Sequence, residues 1–200
     1  ELLYADVVEP EVREAVSQSA NSLAELGANV EEVSIPLTSY ANTISTILRV
    51  EAPTNYRELI RSRLQEIEHD NRIGYLTWSL IPALAYYKAL KLRTLLRQQV
   101  LAALNNADVL LMPTMGIAAP KIEPDPAIDS KENSNRNRSG LTTSFSLASA
   151  PALSICCGFT KEHLPIGLQL GGRPFEEQTI LNVAYAYQQA TDWHTRRPPI

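Results

Sequence analysis

Acyl chemistry at a serine or cysteine needs a base within hydrogen-bond reach, and histidine is the commonest base. The 200-residue sequence holds three histidines. His69 stands among Glu66, Glu68 and Asp70, His163 in an expected turn, and His194 near the C-terminus, so each reads as a solvated surface residue rather than a base. Cys156 and Cys157 are adjacent, with Cα atoms about 3.8 Å apart, closer than the usual disulfide range. They are expected as free thiols packed in the core, because an apolar strand raises a thiol pKa and lowers its reactivity. No paired-cysteine motif and no two histidines one helical turn apart are present, so no metal is expected. Gly171 and Gly172 are too sparse to cradle a phosphate, and no cofactor is expected. Glu176 and Glu177 face different directions if helical, and read as stabilising a helix start rather than as an acid/base pair. The Ser/Thr-rich stretch 139–149 stands before an apolar strand. Its hydroxyls are placed either to hydrogen-bond the amide of a ligand or to satisfy loop backbone, and composition favours the backbone role.

The elements that would position these groups follow from periodicity. Val12, Val16, Ala20 and Leu23 recur at helical spacing over residues 9–26, with Pro10 in the first turn and Gly27 as the stop. Val30, Val33 and Ile35 before Pro36 read as a short strand. Helices are expected over 41–50 and 56–69. Ala85, Ala89, Leu92, Leu96, Val100 and Ala103 keep helical spacing for about five turns. Val109, Leu110, Leu111 and Met112 follow as a buried parallel strand would, closed by Pro113. A surface loop rich in Pro, Asp, Asn and Ser is expected at about 116–140. Residues 153–157 and 166–170 read as a hairpin, with Gly171 and Gly172 breaking its second strand. A last helix carries Ile180, Val183, Ala184 and Tyr187. Helices alternating with short apolar strands indicate an α/β sandwich around a mixed sheet.

Composition narrows the partners. A net charge of −4 with basic residues spread along the chain gives no footprint for nucleic acid or a membrane surface. The apolar runs fall far short of the roughly 20 residues that span a bilayer. Adjacent free thiols suit a reducing, cytoplasmic setting. Glu1 is not an initiator methionine, so an N-terminal part missing from this sequence is expected.

Three stretches carry a family likeness. Residues 108–114, Asp-Val-Leu-Leu-Met-Pro-Thr, with Ala119 and Pro120 beyond, are similar to the Asp-Val-Leu-Leu-x-Pro-Thr segment of amidase-signature enzymes. Ala150, Pro151, Ala152, Leu153, Ser154 and Ile155, then Cys157, Gly158 and Phe159, resemble that family's Leu-Pro-Ala-Ile-Ser-Val-Pro-Cys-Gly-Phe. Residues 164–170, with Gly172 and Phe175, resemble its Leu-Pro-x-Gly-Leu-Gln-Leu-x-Gly and the phenylalanine beyond. Order, spacing and extent make the combination specific, and residues 10–36 resemble the helix and strand that follow the family's catalytic core.

The resemblance implies that residues 1–200 are the C-terminal portion of an amidase-signature domain, an α/β/α sandwich around a mixed sheet. It implies a family that cleaves or transfers amide groups with a serine nucleophile, a second serine in a cis peptide and a lysine base. The family's Gly-Gly-Ser-Ser-Gly-Gly segment and catalytic Lys segment are not in this sequence, so no residue here is assigned a catalytic role, and the chain alone is expected to be inactive. The expected partners are a small-molecule amide, the catalytic portion preceding this one, and further copies of the chain in a homo-oligomer. Arg93 matches an arginine that holds the substrate carboxylate in the glutamine-using amidotransferase branch, and Thr142 matches a position lining the acyl channel. An ordinary helix-surface arginine and a loop threonine stand as the other readings. Ser139 replaces that branch's acidic residue, and Ser144, Ser146 and Ser149 replace the family's Pro, Asn and Gly. A general amidase is therefore the first reading. The A subunit of an aminoacyl-tRNA amidotransferase and a noncatalytic binding or assembly module are the alternatives.

Overall fold

The structure, a computed structural model, describes residues 6–120 and 141–197. Helix α1, Pro10–Glu25, buries Val12, Ala15, Val16, Ser19 and Leu23, the stripe that a 3.6-residue period turns to one side. It stops where expected. The Gly27 N–H donates to the carbonyl of Ala24 (2.9 Å) and that of Ala28 to Leu23 (3.0 Å), with Gly27 at φ 98°.

Among the described residues no strand forms over 28–35, so the expected strand over Val30, Val33 and Ile35 is not seen there. A strand needs a neighbour for its N–H and C=O groups. This segment instead carries the chain from α1, in one apolar core, to Ile35, in the other, leaving Val30 and Val33 about half exposed. Short helices α2 (Ala41–Leu48), α3 (Glu51–Asn55) and α4 (Arg57–Arg63) follow. The helix expected over 56–69 divides, because the Glu68 carboxylate accepts the N–H groups of Asp70 and Asn71 at 3.1 Å each and starts α5, His69–Trp78. Those two bonds hold the Glu68 carboxyl below its usual range. Helix α6, Ala83–Leu104, is the long helix anticipated, with Ala89, Leu96, Val100 and Leu104 buried.

Strands β1 (Val109–Pro113), β2 (Ala152–Phe159) and β3 (Pro165–Gly172) lie in the order β1-β3-β2. The α/β class and the β2–β3 hairpin are as expected. The sheet differs in one respect: among the described residues both pairings are antiparallel, and β1 is not a parallel-paired strand. β1 and β2 do point the same way, but the hairpin folds β3 back between them, so neither meets a parallel neighbour among the described residues. Gly171 and Gly172 are the last two residues of β3, paired with Leu110 and Val109, so the strand runs through them rather than breaking before them.

Strand alternation sorts the molecule into layers. Leu111, Leu153, Ile155, Cys157, Leu168 and Leu170 face α1 and α8 (Glu177–Ala190). Leu110 and Met112 face α2, α6 and α7 (Thr143–Ala148). Leu168 and Leu170 are fully buried, each stabilising the fold by about 1.5–3 kcal/mol. No helix among the described residues is long and apolar enough to cross a membrane.

Candidate functional site

A glycine in the sheet fixes the element on which the site is built. A Cβ at Gly171 would fall 2.1 Å from the ring of Phe145, so only glycine lets that buried ring lie on β3. Phe145 in turn seats α7. The sequence reading of 139–149 as loop is corrected from Thr143 onward, where a short helix buries Ser144, Phe145, Leu147 and Ala148.

Both ends of α7 are held by side chains from elsewhere. Arg93 donates from Nε to the Leu147 carbonyl (3.1 Å) and from Nη2 to Ser149 Oγ (3.1 Å). Arg97, one turn further along α6, donates from Nη1 to the carbonyls of Ala148 and Ser149. These are the last carbonyls of α7, where the helix leaves acceptors unpaired and partial negative charge accumulates. Ser149 closes the helix in a left-handed conformation, φ 50°. At the other end Thr143 Oγ1 donates to Asn42 Oδ1 on α2 (2.7 Å), and the Leu141 N–H donates to the carbonyl of Thr114 just past β1 (3.2 Å). Arg93 and Thr142 therefore mark opposite ends of one six-residue helix, about 9 Å apart at 1.5 Å per residue. Thr142 is exposed and Arg93 half-buried. Ser139, the other position singled out by the family likeness, and most of the expected 116–140 loop lie outside the described residues.

Two features near Arg93 and Thr142 were not singled out from the sequence. Tyr86 donates to Glu51 Oε1 (2.8 Å), which raises its phenol above the ordinary range, while Arg93 acts in the opposite sense; Glu51, Tyr86 and Arg93 thus share one surface. Beyond the start of α7, Thr114 Oγ1 and Ser154 Oγ lie 2.6 Å apart and meet over Gly167, where a Cβ would come within 2.9 Å of Thr114 Oγ1. Gln169, opposite Ser154 in the ladder, is buried with its Nε2 unpartnered among the described residues. A glutamine inside an apolar strand run was the available signal.

The other candidate groups fall apart. His69 contacts Arg72, and His163 and His194 are exposed; none is hydrogen-bonded to a serine or cysteine among the described residues. Cys157 is buried, and burial pushes its thiol up to about 12, with Ser19 opposing. A thiol so placed is inert. Arg173 performs a structural task, donating to the carbonyls of Leu104 (2.7 Å) and Ala107 (3.0 Å) while pairing with Glu176 and Asp108, which ties the end of α6 to β3.

Comparison with known proteins adds to this geometry. A profile of the amidase family matches residues 2–181. The A subunit of glutamyl-tRNA(Gln) amidotransferase from Methanosarcina barkeri is 36% identical over 98% of this chain and 46% of its own length. That of Desulforamulus reducens is 37% identical, over 98% of this chain and 45% of its own. The chain spans under half the length of the curated relatives it matches. Among solved structures, the A subunit from Thermotoga maritima superposes with a TM-score of 0.72 at 28% identity, over 94% of this chain and 41% of that one. A crystal structure described as an amidase gives 0.76 at 26% identity, over 92% and 42%.

Proposed function

Since the chain belongs to the amidase family, we propose that it forms the C-terminal part of an enzyme that cleaves carboxylic amides, and that it supplies one wall of the substrate pocket. The observation that carries this reading is the mounting of α7, clamped by Arg93 and Arg97 at one end and by Thr143 and Leu141 at the other. Side chains held this way present fixed geometry to a ligand, which positioning catalysis requires. The nucleophile and base belong to segments absent from this sequence, so this part binds and orients.

Thr142, exposed at the start of α7, is the hydroxyl offered to the acyl group. Arg93 uses Nε and one Nη2 hydrogen within the chain. The remaining N–H groups of Nη1 and Nη2 form the planar fork that takes a carboxylate with two parallel hydrogen bonds. The substrate is accordingly a small carboxylic amide, and one bearing a second carboxylate is favoured.

A second reading has a specific observation behind it: the relatives named above are A subunits of glutamyl-tRNA(Gln) amidotransferases. In that reading the amide is glutamine and the released ammonia passes to a charged tRNA through partner subunits. Ser139, standing where that branch has an acidic residue for the substrate amino group, supports the general amidase instead. A panel of amides presented to the product of the complete reading frame separates them. Turnover of simple carboxylic amides without partner subunits supports the first reading, whereas turnover of glutamine alone supports the second.

A further inference from the structure

Gln169 interrupts the apolar run of the central strand. It stands between Met112 on β1 and Ser154 on β2, only 3% exposed, with Nε2 unpartnered among the described residues. A buried amide donor left unpaired is destabilising, whereas an apolar side chain of the same length is not. Hydrogen-bond phase shows which neighbour it meets. The Gly172 N–H donates to the carbonyl of Pro151 (3.1 Å), so bonded positions recur at Leu153 with Leu170 and at Ile155 with Leu168. Ser154 and Gln169 are therefore a non-hydrogen-bonded pair, the kind in which facing side chains stand closest.

Two residues along β3, on the same face, Gly167 carries no side chain. Thr114 Oγ1 and Ser154 Oγ occupy that space, 2.6 Å apart, and a Cβ at Gly167 would come within 2.9 Å of the first and 3.3 Å of the second. One O–H is spent between the two hydroxyls and the other is left over. The patch thus offers that O–H and the N–H groups of Nε2, beside a carboxamide oxygen as acceptor, and no charged residue belongs to it. Ala152 and Ser154 are exposed and Gly167 and Thr114 half-buried, so the patch is open. The Leu141 N–H donates to the carbonyl of Thr114 (3.2 Å), which sets the patch beside the start of α7, where Thr142 stands.

Resting on the reading that this chain is one part of a longer amide-cleaving enzyme, we propose that Gln169, with Thr114 and Ser154, positions the segment that carries the nucleophile by holding one of its backbone peptide groups. A carboxamide matches a peptide group donor for acceptor. Nε2 donates to the backbone carbonyl, Oε1 accepts the backbone N–H, and the spare hydroxyl proton takes the second lone pair of the carbonyl. An uncharged patch on a strand face suits backbone better than an anion, and better than a small substrate, which needs a concave pocket. The relatives run to more than twice the aligned length, so chain to reach the patch is available. The contact acts on rate rather than on binding, since a displacement of about 1 Å at the reacting atoms costs on the order of 100-fold.

The test is Gln169→Met in the product of the complete reading frame, which keeps the length of the side chain and removes its donors. The expected result is a lower urea midpoint, because a made hydrogen bond is lost. With it, kcat falls about 10- to 100-fold while KM changes by less than about twofold, for neutral and acidic amides alike. Ser154→Ala, at an exposed position of this chain, guards against misfolding and should lower kcat by about two- to tenfold with KM held. A higher or unchanged midpoint in Gln169→Met, with kcat held, would mean that nothing meets the donor; it would overturn the proposal, while wild-type turnover leaves the functional reading standing. A raised KM at unchanged kcat would assign the patch to the substrate and overturn the proposal too. A lower midpoint in a complete product whose wild type cleaves no amide would support the backbone contact and overturn the functional reading.

Discussion

Arg93 is engaged on both sides of the proposed pocket wall, so replacing it removes two things at once, and Arg97 allows them to be separated. In Arg93→Ala the carbonyl of Leu147 and the hydroxyl of Ser149 lose charged donors at 3.1 Å. Because the site is half-exposed, water replaces part of this; the structural loss is about 1 kcal/mol, below the roughly 1.5–3 kcal/mol of a shielded hydrogen bond to a charged group. Arg97→Ala removes donors to the adjacent carbonyls of Ala148 and Ser149 and has the same structural cost. Only Arg93 is proposed to hold the carboxylate, through the remaining fork of its guanidinium, and losing that contact costs a further 1.5–3 kcal/mol, or about 10- to 150-fold in kcat/KM. The assay is kcat/KM for a matched pair of amides, with and without a carboxylate, on the complete enzyme and both variants. Arg97→Ala should slow both substrates alike, by about fivefold or less. Arg93→Ala should do the same to the neutral amide and add the larger factor for the acidic one. Equal losses on the two amides in Arg93→Ala would refute the carboxylate role and leave Arg93 as a clamp on α7.

Three further substitutions probe the supporting structure. Gly171→Ala places a methyl group 2.1 Å from the Phe145 ring and should destabilise by about 1–3 kcal/mol through overpacking; an unchanged urea midpoint would refute the seating of α7. Ser149→Gly should be about 1 kcal/mol more stable than Ser149→Ala, since both lose the hydroxyl and only glycine relieves φ 50°. Cys157 sets a pH dependence: its folded thiol lies at about 12 against about 8.5 when unfolded. Its contribution is therefore fully present below pH 8.5 and is lost as pH rises toward the folded value. Between about pH 8.5 and 10 stability should fall by up to about 1.4 kcal/mol per pH unit, and Cys157→Ala should flatten that slope; an equal slope in the variant would refute it.

Elements with unbroken periodicity were legible in the sequence. The stripes of α1 and α6 and the hairpin of β2 and β3 follow from apolar spacing alone, and Gly27 marks the stop of α1 by the φ that glycine permits. What escaped depended on partners distant in sequence. Residues 28–35 have strand composition but form no strand among the described residues. Glu68 looks like one more charged helix residue until its carboxylate is seen capping α5. β1 reads as parallel because it follows a long helix, and only the return of β3 between β1 and β2 decides otherwise. Gly171 and Gly172 read as breakers, yet their lack of a side chain admits Phe145 and Ile180 against an unbroken strand. The family likeness drew attention to Arg93 and Thr142, whereas their relation through the two ends of α7 required the fold. Arg97 gave no local signal, and Thr114 and Ser154 stood in the family-like stretches without a role, since each matters only through what it meets across the sheet or between helices.

The central claim is that this chain supplies a pocket wall to an amide-cleaving enzyme whose nucleophile and base lie outside it. Amide hydrolysis measured side by side for the 200-residue chain and the product of its complete reading frame tests this most directly. The account predicts turnover by the complete product, abolished by a serine-directed inhibitor, and none above buffer by the chain alone. Inhibitor-sensitive turnover by the chain itself, or a complete product that cleaves neither simple amides nor glutamine, would contradict it.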